Sequence, residues 1–205
     1  MPDIDLIFPS FFYKSDPYKF IKEQLDYIKT YKDKSRINVG NNYISKSSHV
    51  LEDNKLKYIK SFIQKELDNL AYNVLKLNKK QKIYVTQSWF NFNPKDSYHH
   101  MHNHPNSLIS GTFYIQGEEN TFCDIDREYA NTVFPYFQLD CEEVNPINTT
   151  HHTVENKIHT LALFPSRLRH QVRVNNNNKE RITLAFNSFI KGEIGMKDHR
   201  SELKL

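Results

Sequence analysis

Four of the ten histidines fall in one short run, "YHHMHNH" at residues 98–104. Neutral imidazole is a metal ligand, a general base or a proton switch, so the first question is what so many rings are for. On an extended strand, residues i and i+2 point the same way and lie about 7 Å apart. Two overlapping pairs, His100/His102 and His102/His104, are each able to aim two rings at one ion. A pair cannot close a site alone. The candidate third ligand is His170 in "FPSRLRH", at the start of a late strand. Two neighbouring imidazoles joined by a distant one form a donor set that suits non-haem iron, zinc and nickel.

The chain after His170 offers a partner for whatever the metal holds. A loop made of the asparagines 175–178 pairs Val174 with Lys179 and Val172 with Arg181, and sets His170 opposite Thr183. His170, Arg181 and Thr183 then share a face, with Arg181 about 7 Å further along. A guanidinium there suits the far carboxylate of a short dicarboxylate whose other end chelates the metal. A one-residue change in the loop turns Arg181 away.

These residues need a scaffold, and the hydrophobic pattern supplies one. "SDPYKFIKEQLDYIKTY" reads as a helix with a Ser/Asp cap before Pro17 and with Ile21, Leu25 and Ile28 on one stripe. "DNKLKYIKSFIQKELDNLAYNVLKL" repeats the device, with Leu56, Ile59, Ile63, Leu67, Leu70 and Val74 at steps of three or four. After Lys80 the period falls to two, and strands are expected at 82–92, 107–117, 158–164, 170–174 and 181–190. The segment 118–156 is acidic and rich in turns, with short strands expected near Phe122 and Phe137. The expected class is α+β, mostly β: a sandwich or barrel buttressed by N-terminal helices. We expect one domain over 1–205, with helical support in 1–80, the β core in 81–190 around the acidic insertion, and a C-terminal tail from 191.

Composition narrows the function classes. The hydrophobic fraction is 38% and the aromatic fraction 13%, a folding composition. No apolar run is long enough for a membrane span and no signal peptide opens the chain, so a cytoplasmic protein is expected. The net charge is +4, but its distribution argues against a nucleic-acid partner. Residues 1–80 carry fifteen Lys and Arg against ten Asp and Glu, spread over helix faces, whereas 118–156 carries one Arg against nine carboxylates. Cys123 and Cys141 form no CxxC and read as reduced thiols. There is no Gly-rich phosphate loop and no GxSxG. Oligomeric state is open, a homodimer included.

The run "SWFNF…HNHPNSLISGTFYIQG…LALFPSRLRHQVRVN…RITLAFNS" resembles the 2-oxoglutarate/Fe(II)-dependent oxygenases, particularly a compact bacterial and phage branch. The likeness spans residues 88–188. It implies a jelly-roll core, that is, a double-stranded β-helix. It also implies iron held by His102, the residue two after it, and His170, with 2-oxoglutarate as co-substrate held by Arg181. Tyr114 matches a tyrosine that binds the same carboxylate in prolyl-hydroxylase-like relatives, and Thr183 matches the Ser/Thr two residues after the arginine. The spacing of 11 from His170 to Arg181 fits the family. Asn91, on the strand before the cluster, is a further candidate for the co-substrate.

One departure matters. Most of the family has Asp or Glu two residues after the first histidine, and this chain has His104. Three neutral imidazoles leave a divalent site at +2 where two and a carboxylate leave +1, which favours anionic co-ligands or a shift toward Zn or Ni. Asp96 or Asp124 could instead complete the site, and His100 could ligate in place of His104. His99 and His100 are otherwise expected as neighbours, orienting groups or solvent-facing groups. Trp89 is expected in the core, and His49, His151, His152, His159 and His199 on surface loops. The expected activity is hydroxylation of a small molecule or a protein side chain. The alternatives are a cupin-like three-His enzyme without 2-oxoglutarate and a non-catalytic β-sandwich of phage origin.

Overall fold

Strands with one apolar and one polar face must bury the first against something, and here it is the helices. The computed structural model describes residues 10–117, 120–126, 140–143, 145 and 147–205. Twelve strands run through it: β1 (Tyr13–Lys14), β2 (Ser35–Ile37), β3 (Tyr43–Ser45), β4 (Gln81–Asn93), β5 (His99–His102), β6 (Ile109–Gln116), β7 (Asn120–Asp126), β8 (His151–Lys157), β9 (Leu161–Pro165), β10 (Arg169–Val172), β11 (Arg181–Ile194) and β12 (Leu203–Lys204). The large sheet has the order β1-β9-β6-β11-β4-β3-β2, with β12 also paired to β11, and the small sheet the order β5-β10-β7-β8. Every ladder between these strands is antiparallel.

Period two sorts the large sheet into its faces. Phe90 and Phe92 of β4, Phe113 and Ile115 of β6, Ile182, Leu184 and Phe186 of β11, and Leu161 and Leu163 of β9 are buried in one apolar cluster. Helix α2 (Lys57–Asn69) closes that cluster with Ile59, Ile63 and Leu67, and α1 (Lys22–Lys29) adds Ile28. Gly111 belongs to this packing. A Cβ there would lie 2.2 Å from the Phe186 ring, so the strand is bare where that ring crosses it. The intervening residues face the small sheet and form a cavity wall. No helix among the described residues is long and apolar enough to cross a membrane.

Several expectations need correcting. The first helix begins at Lys22, not after Asp16. The Ser15 hydroxyl accepts a bond from the Leu161 amide, and the Tyr18 amide donates to the His159 carbonyl, so residues 13–18 are held extended along β9. Tertiary pairing overrides the local cap signal. Val74 leaves the stripe of α2 because residues 70–74 form a π-turn, with Leu75 N–H bonded to the Leu70 carbonyl, and it ends exposed. His151 and His152 lie on β8, not on a loop, although both are exposed. His159 is half-buried against the Phe20 ring, 5.2 Å between centroids. The strand expected near Phe122 is β7; the one near Phe137 lies outside the described residues.

The hairpin over 175–178 is the largest correction. β10 and β11 belong to different sheets, and Thr183 pairs with Asn91 and Tyr114, not with His170. Asn175 is the cause. Its amide donates to the Ser97 carbonyl, its carbonyl accepts from Asp96, and its side-chain amide bonds the carbonyls of Asn93 and Lys179. This buried asparagine anchors the chain to the turn after β4, and residues 173–180 cross from one sheet to the other.

Candidate metal centre and its cavity

His102 and His170 are cross-strand partners in the antiparallel β5–β10 ladder, and their rings stand 4.4 Å apart. Directly opposed residues share a face, so both imidazoles point into the space between the sheets. His104 lies two residues on, past the end of β5. It keeps the same side because its amide donates to the Ser166 carbonyl at 3.0 Å. Its ring is 4.9 Å from His102 and 5.2 Å from His170. One ring nitrogen from each of the three falls within 4.8 Å of the others.

The tautomers follow from the hydrogen bonds. His102 Nδ1 lies 2.8 Å from the His100 carbonyl, and His170 Nδ1 lies 2.8 Å from the Leu168 carbonyl. A carbonyl only accepts, so each Nδ1 carries the hydrogen and each Nε2 lone pair is left free. Burial keeps the rings neutral. It pushes His104 down to about 3 and His170 down to about 4, with the neighbouring imidazoles adding to the effect, and it lowers His102 as well. Three neutral, pre-oriented nitrogens are what a transition-metal ion needs.

The alternative ligands fall away. Asp124 pairs with Gln171 in the β7–β10 ladder, one position off His170, and so points out of the opposite face. There Arg173 holds it through Nε and Nη2, with the Thr153 hydroxyl added. Asp96 is exposed in the turn after β4. His100 is exposed too, and contributes only its carbonyl.

The opposite wall comes from the large sheet in successive rows. Arg181 pairs with Asn93; Thr183 lies between Asn91 and Tyr114; Ala185 lies between Trp89 and Thr112. Each row is two residues, about 7 Å, from the next. With the histidines they line a narrow cavity of about 50 Å³ that opens to solvent. The triad stands at the Trp89 end, with Trp89 5.8 Å from His104 and Phe164 4.7 Å from His170. Arg181 stands toward the other end, where its charge acts on His99 and Cys123. Trp89 is thus a half-buried wall of the cavity, not a core residue.

Buried polar atoms mark what this cavity is built to meet. Arg181 is 8% exposed and donates from Nη2 to the Arg173 carbonyl. Asn91 Oδ1 and Asn93 Nδ2 are buried and have no protein partner. Tyr114 is 3% exposed, and burial holds its hydroxyl well above the usual phenol range, so it remains a donor. The candidates Arg181, Tyr114, Thr183 and Asn91 therefore share one cavity with His102, His104 and His170. The residues fit a divalent metal at one end and an anion at the other.

Sequence reasoning missed several members of this lining, among them Asn93, Cys123 and His99. Asn93 carried no signal beyond its place beside a turn. Cys123 shares a row with Val172 and faces inward, and burial pushes its thiol up to about 12, so it is no thiolate ligand. His99 was expected as a neighbour, an orienting group or a solvent-facing one, not as part of the wall. The β5–β10 ladder sets Val172 opposite His99 and His170 opposite His102, so β5 carries one residue more than β10 over the same span. That bulge turns His99 inward beside His102, although residues three apart on a regular strand face opposite ways.

Comparison with known proteins bears on the family and the fold. Residues 87–187 match the model of a family described as "Putative 2OG-Fe(II) oxygenase". Among curated proteins, none matches the chain. Solved structures give fold-level likeness. HygX from Streptomyces hygroscopicus, with nickel, 2-oxoglutarate and hygromycin B bound, has a TM-score of 0.55 at 13% identity, over 87% of this chain and 82% of that one. The carbocyclase SnoK from nogalamycin biosynthesis, described as non-heme and alpha ketoglutarate dependent, has a TM-score of 0.58 at 9% identity, over 93% and 85%. A Pseudomonas putida prolyl-4-hydroxylase has a TM-score of 0.52 at 10% identity, over 87% and 92%. The shared fold is the double-stranded β-helix.

Proposed function

Since the chain belongs to the 2-oxoglutarate/Fe(II)-dependent oxygenases, we propose that His102, His104 and His170 hold its iron and that Arg181 anchors 2-oxoglutarate. The observation that carries the assignment is the shared cavity. Three imidazole nitrogens lie within 4.8 Å of one another, and a buried guanidinium stands further along the opposite wall. Bound iron supplies the redox chemistry by which 2-oxoglutarate and O₂ become succinate and CO₂, while one oxygen atom enters a C–H bond of the substrate.

The protein's own groups divide the remaining work. Arg181 pairs with the distal carboxylate of the co-substrate, and the Thr183 and Tyr114 hydroxyls donate to the same end. Asn91, midway between that end and the triad, lines the co-substrate's path with a buried Oδ1 that has no protein partner. Trp89 and Phe164 flank the triad and keep bulk water from it. The substrate is a small molecule or a protein side chain entering at the open mouth.

The test is an anaerobic titration of 2-oxoglutarate into Fe(II)-loaded protein, following the visible charge-transfer band of the chelate. The band should form in the wild type, vanish in His170→Ala and require far more 2-oxoglutarate in Arg181→Ala. A second reading is favoured by one observation, the histidine at 104 where a carboxylate is usual. A cupin-like enzyme would use the three imidazoles without 2-oxoglutarate. It would bind iron, show no band, and retain its activity in Arg181→Ala.

A further inference from the structure

We infer that His99, clamped by Asn42, is a co-substrate-positioning residue that donates a hydrogen bond to the metal-proximal carboxylate of 2-oxoglutarate. The inference rests on reading the cavity as the 2-oxoglutarate site. It concerns a residue outside the metal triad and outside the Arg181 cluster.

Placement is the first argument. The bulge in β5 puts His99 in the row of Val172 and Cys123, one step from the row of His102 and His170 toward Arg181. Its ring stands 4.5 Å from that of His102, and it lines the cavity with Arg181. A dicarboxylate running from the triad to Arg181 must therefore pass His99. Yet His99 is not in the group of nitrogens that converge for an ion.

The second argument is the support behind the ring. Asn42 is fully buried, and its Nδ2 lies 3.5 Å from His99 Nδ1. Asn42 belongs to a tight turn docked on the backbone just before His99. The Tyr98 amide donates to the Gly40 carbonyl at 3.0 Å, and the Asn38 amide donates to the Asn42 carbonyl at 2.8 Å. Gly40 has φ +85°, and a Cβ there would meet the Tyr98 carbonyl oxygen at 2.5 Å, so the turn admits no side chain at that point. A solvated histidine needs no such clamp. With the Asn42 amide donating to Nδ1, the ring hydrogen sits on Nε2, on the far side of the ring from Asn42. An imidazole fixed in that tautomer is a donor suited to a carboxylate oxygen.

The experiment uses the full chain loaded with Mn(II), titrated with 2-oxoglutarate in a calorimeter, beside a Mn(II) titration of each variant. His99→Leu should weaken 2-oxoglutarate about tenfold or more, the worth of one charge-assisted hydrogen bond, with Mn(II) affinity and melting temperature unchanged. His99→Gln, which keeps a donor, should recover most of the loss. Asn42→Leu, provided it melts like the wild type, should behave as a weaker copy of His99→Leu. Unchanged 2-oxoglutarate affinity in His99→Leu overturns the inference. So does a loss of Mn(II) affinity in that variant, which would make His99 a ligand. Wild-type protein that binds Mn(II) but no 2-oxoglutarate overturns the underlying reading of the cavity, whatever His99 does.

Discussion

As the proposed third ligand, His104 depends on groups outside the triad, and Ser166→Ala tests that dependence. His104 lies past the end of β5, so no ladder holds it; its amide bonds the Ser166 carbonyl. Ser166 is 1% exposed. Its hydroxyl donates to Ser107 Oγ at 2.7 Å and shares a 2.8 Å bond with Ser110 Oγ. Ser110 continues to Asn187 Oδ1, and Asn187 to the exposed Gln87. Removing the hydroxyl takes one hydrogen bond from buried Ser110 and one from half-buried Ser107. Each lost hydrogen bond is worth about 0.5–1.5 kcal/mol, so the two together come to about 1–3 kcal/mol. For a domain of this size each kcal/mol is worth roughly 2–4 °C, so the melting temperature should fall by roughly 2–12 °C. Relaxation of the 166–168 turn should also shift the carbonyl that fixes His104. Groups in this supporting position typically change metal affinity about 10- to 100-fold. The assay is Zn(II) affinity by chelator competition, run beside thermal melts, with Ser61→Ala as the control because Ser61 bonds only its own helix. A melting loss with Zn(II) affinity intact would refute the reasoning, since the serine chain would then brace the sheets and not the ligand.

Three further outcomes follow from the packing and the charges. Gly111→Ala should destabilise the protein by about 1–3 kcal/mol through overpacking, because the new Cβ would sit 2.2 Å from Phe186 and 2.9 Å from Leu163. Urea melts measure the loss, and Phe186→Leu in the same chain should recover part of it. Asp53 accepts from the Tyr27 and Tyr31 hydroxyls, which hold its carboxyl below the ordinary 3.8. A folded value below the unfolded one adds stability that is complete above the unfolded value and is lost as pH falls through the folded one. Asp53→Asn should therefore lower the melting temperature at neutral pH, and the difference should shrink in acid; a constant gap would remove the carboxylate from the explanation. Finally, iodoacetamide at mildly alkaline pH should label exposed Cys141 in the native protein and spare Cys123, whose thiol is buried in the cavity wall. Mass spectrometry of the peptides reads this directly, and labelling of both at equal rates would contradict the enclosure of Cys123.

How much of this was legible in the chain depends on the range of the information each feature needs. The β4, β6, β9, β10 and β11 strands and the α2 stripe are local patterns, and they stand where period two and the three-four spacing put them. The H-x-H spacing of His102 and His104 is equally local, although the side that His104 keeps is fixed from Ser166. Failures begin where a distant segment outvotes a local signal. Ser15 looks like a cap, but its hydroxyl is taken by Leu161 across a strand pair. Trp89 looks like core, but it occupies the polar face of β4 opposite the triad. His99 depends on a bulge defined only against β10, so nothing within residues 98–104 reveals its direction.

The pairing of His170 with Arg181 carries the most general lesson, because a wrong ladder led to the right cavity. A hairpin would have put the two on one sheet and one face. Instead the chain crosses between sheets at 173–180, and two facing walls replace the two neighbouring positions. Parity along each strand is kept through the change. His170 faces inward because it opposes His102, and Arg181 faces inward because it alternates with the apolar Ile182, which is buried toward the helices. On facing sheets an inward residue from either strand meets the same space, so shared occupancy is less sensitive to loop length than shared face is. The distance between the groups does change. A dicarboxylate must then bridge from one sheet to the other instead of lying along one. That geometry leaves the carboxylate nearer the triad open to a further group from the small sheet, and the residue we propose for it is His99.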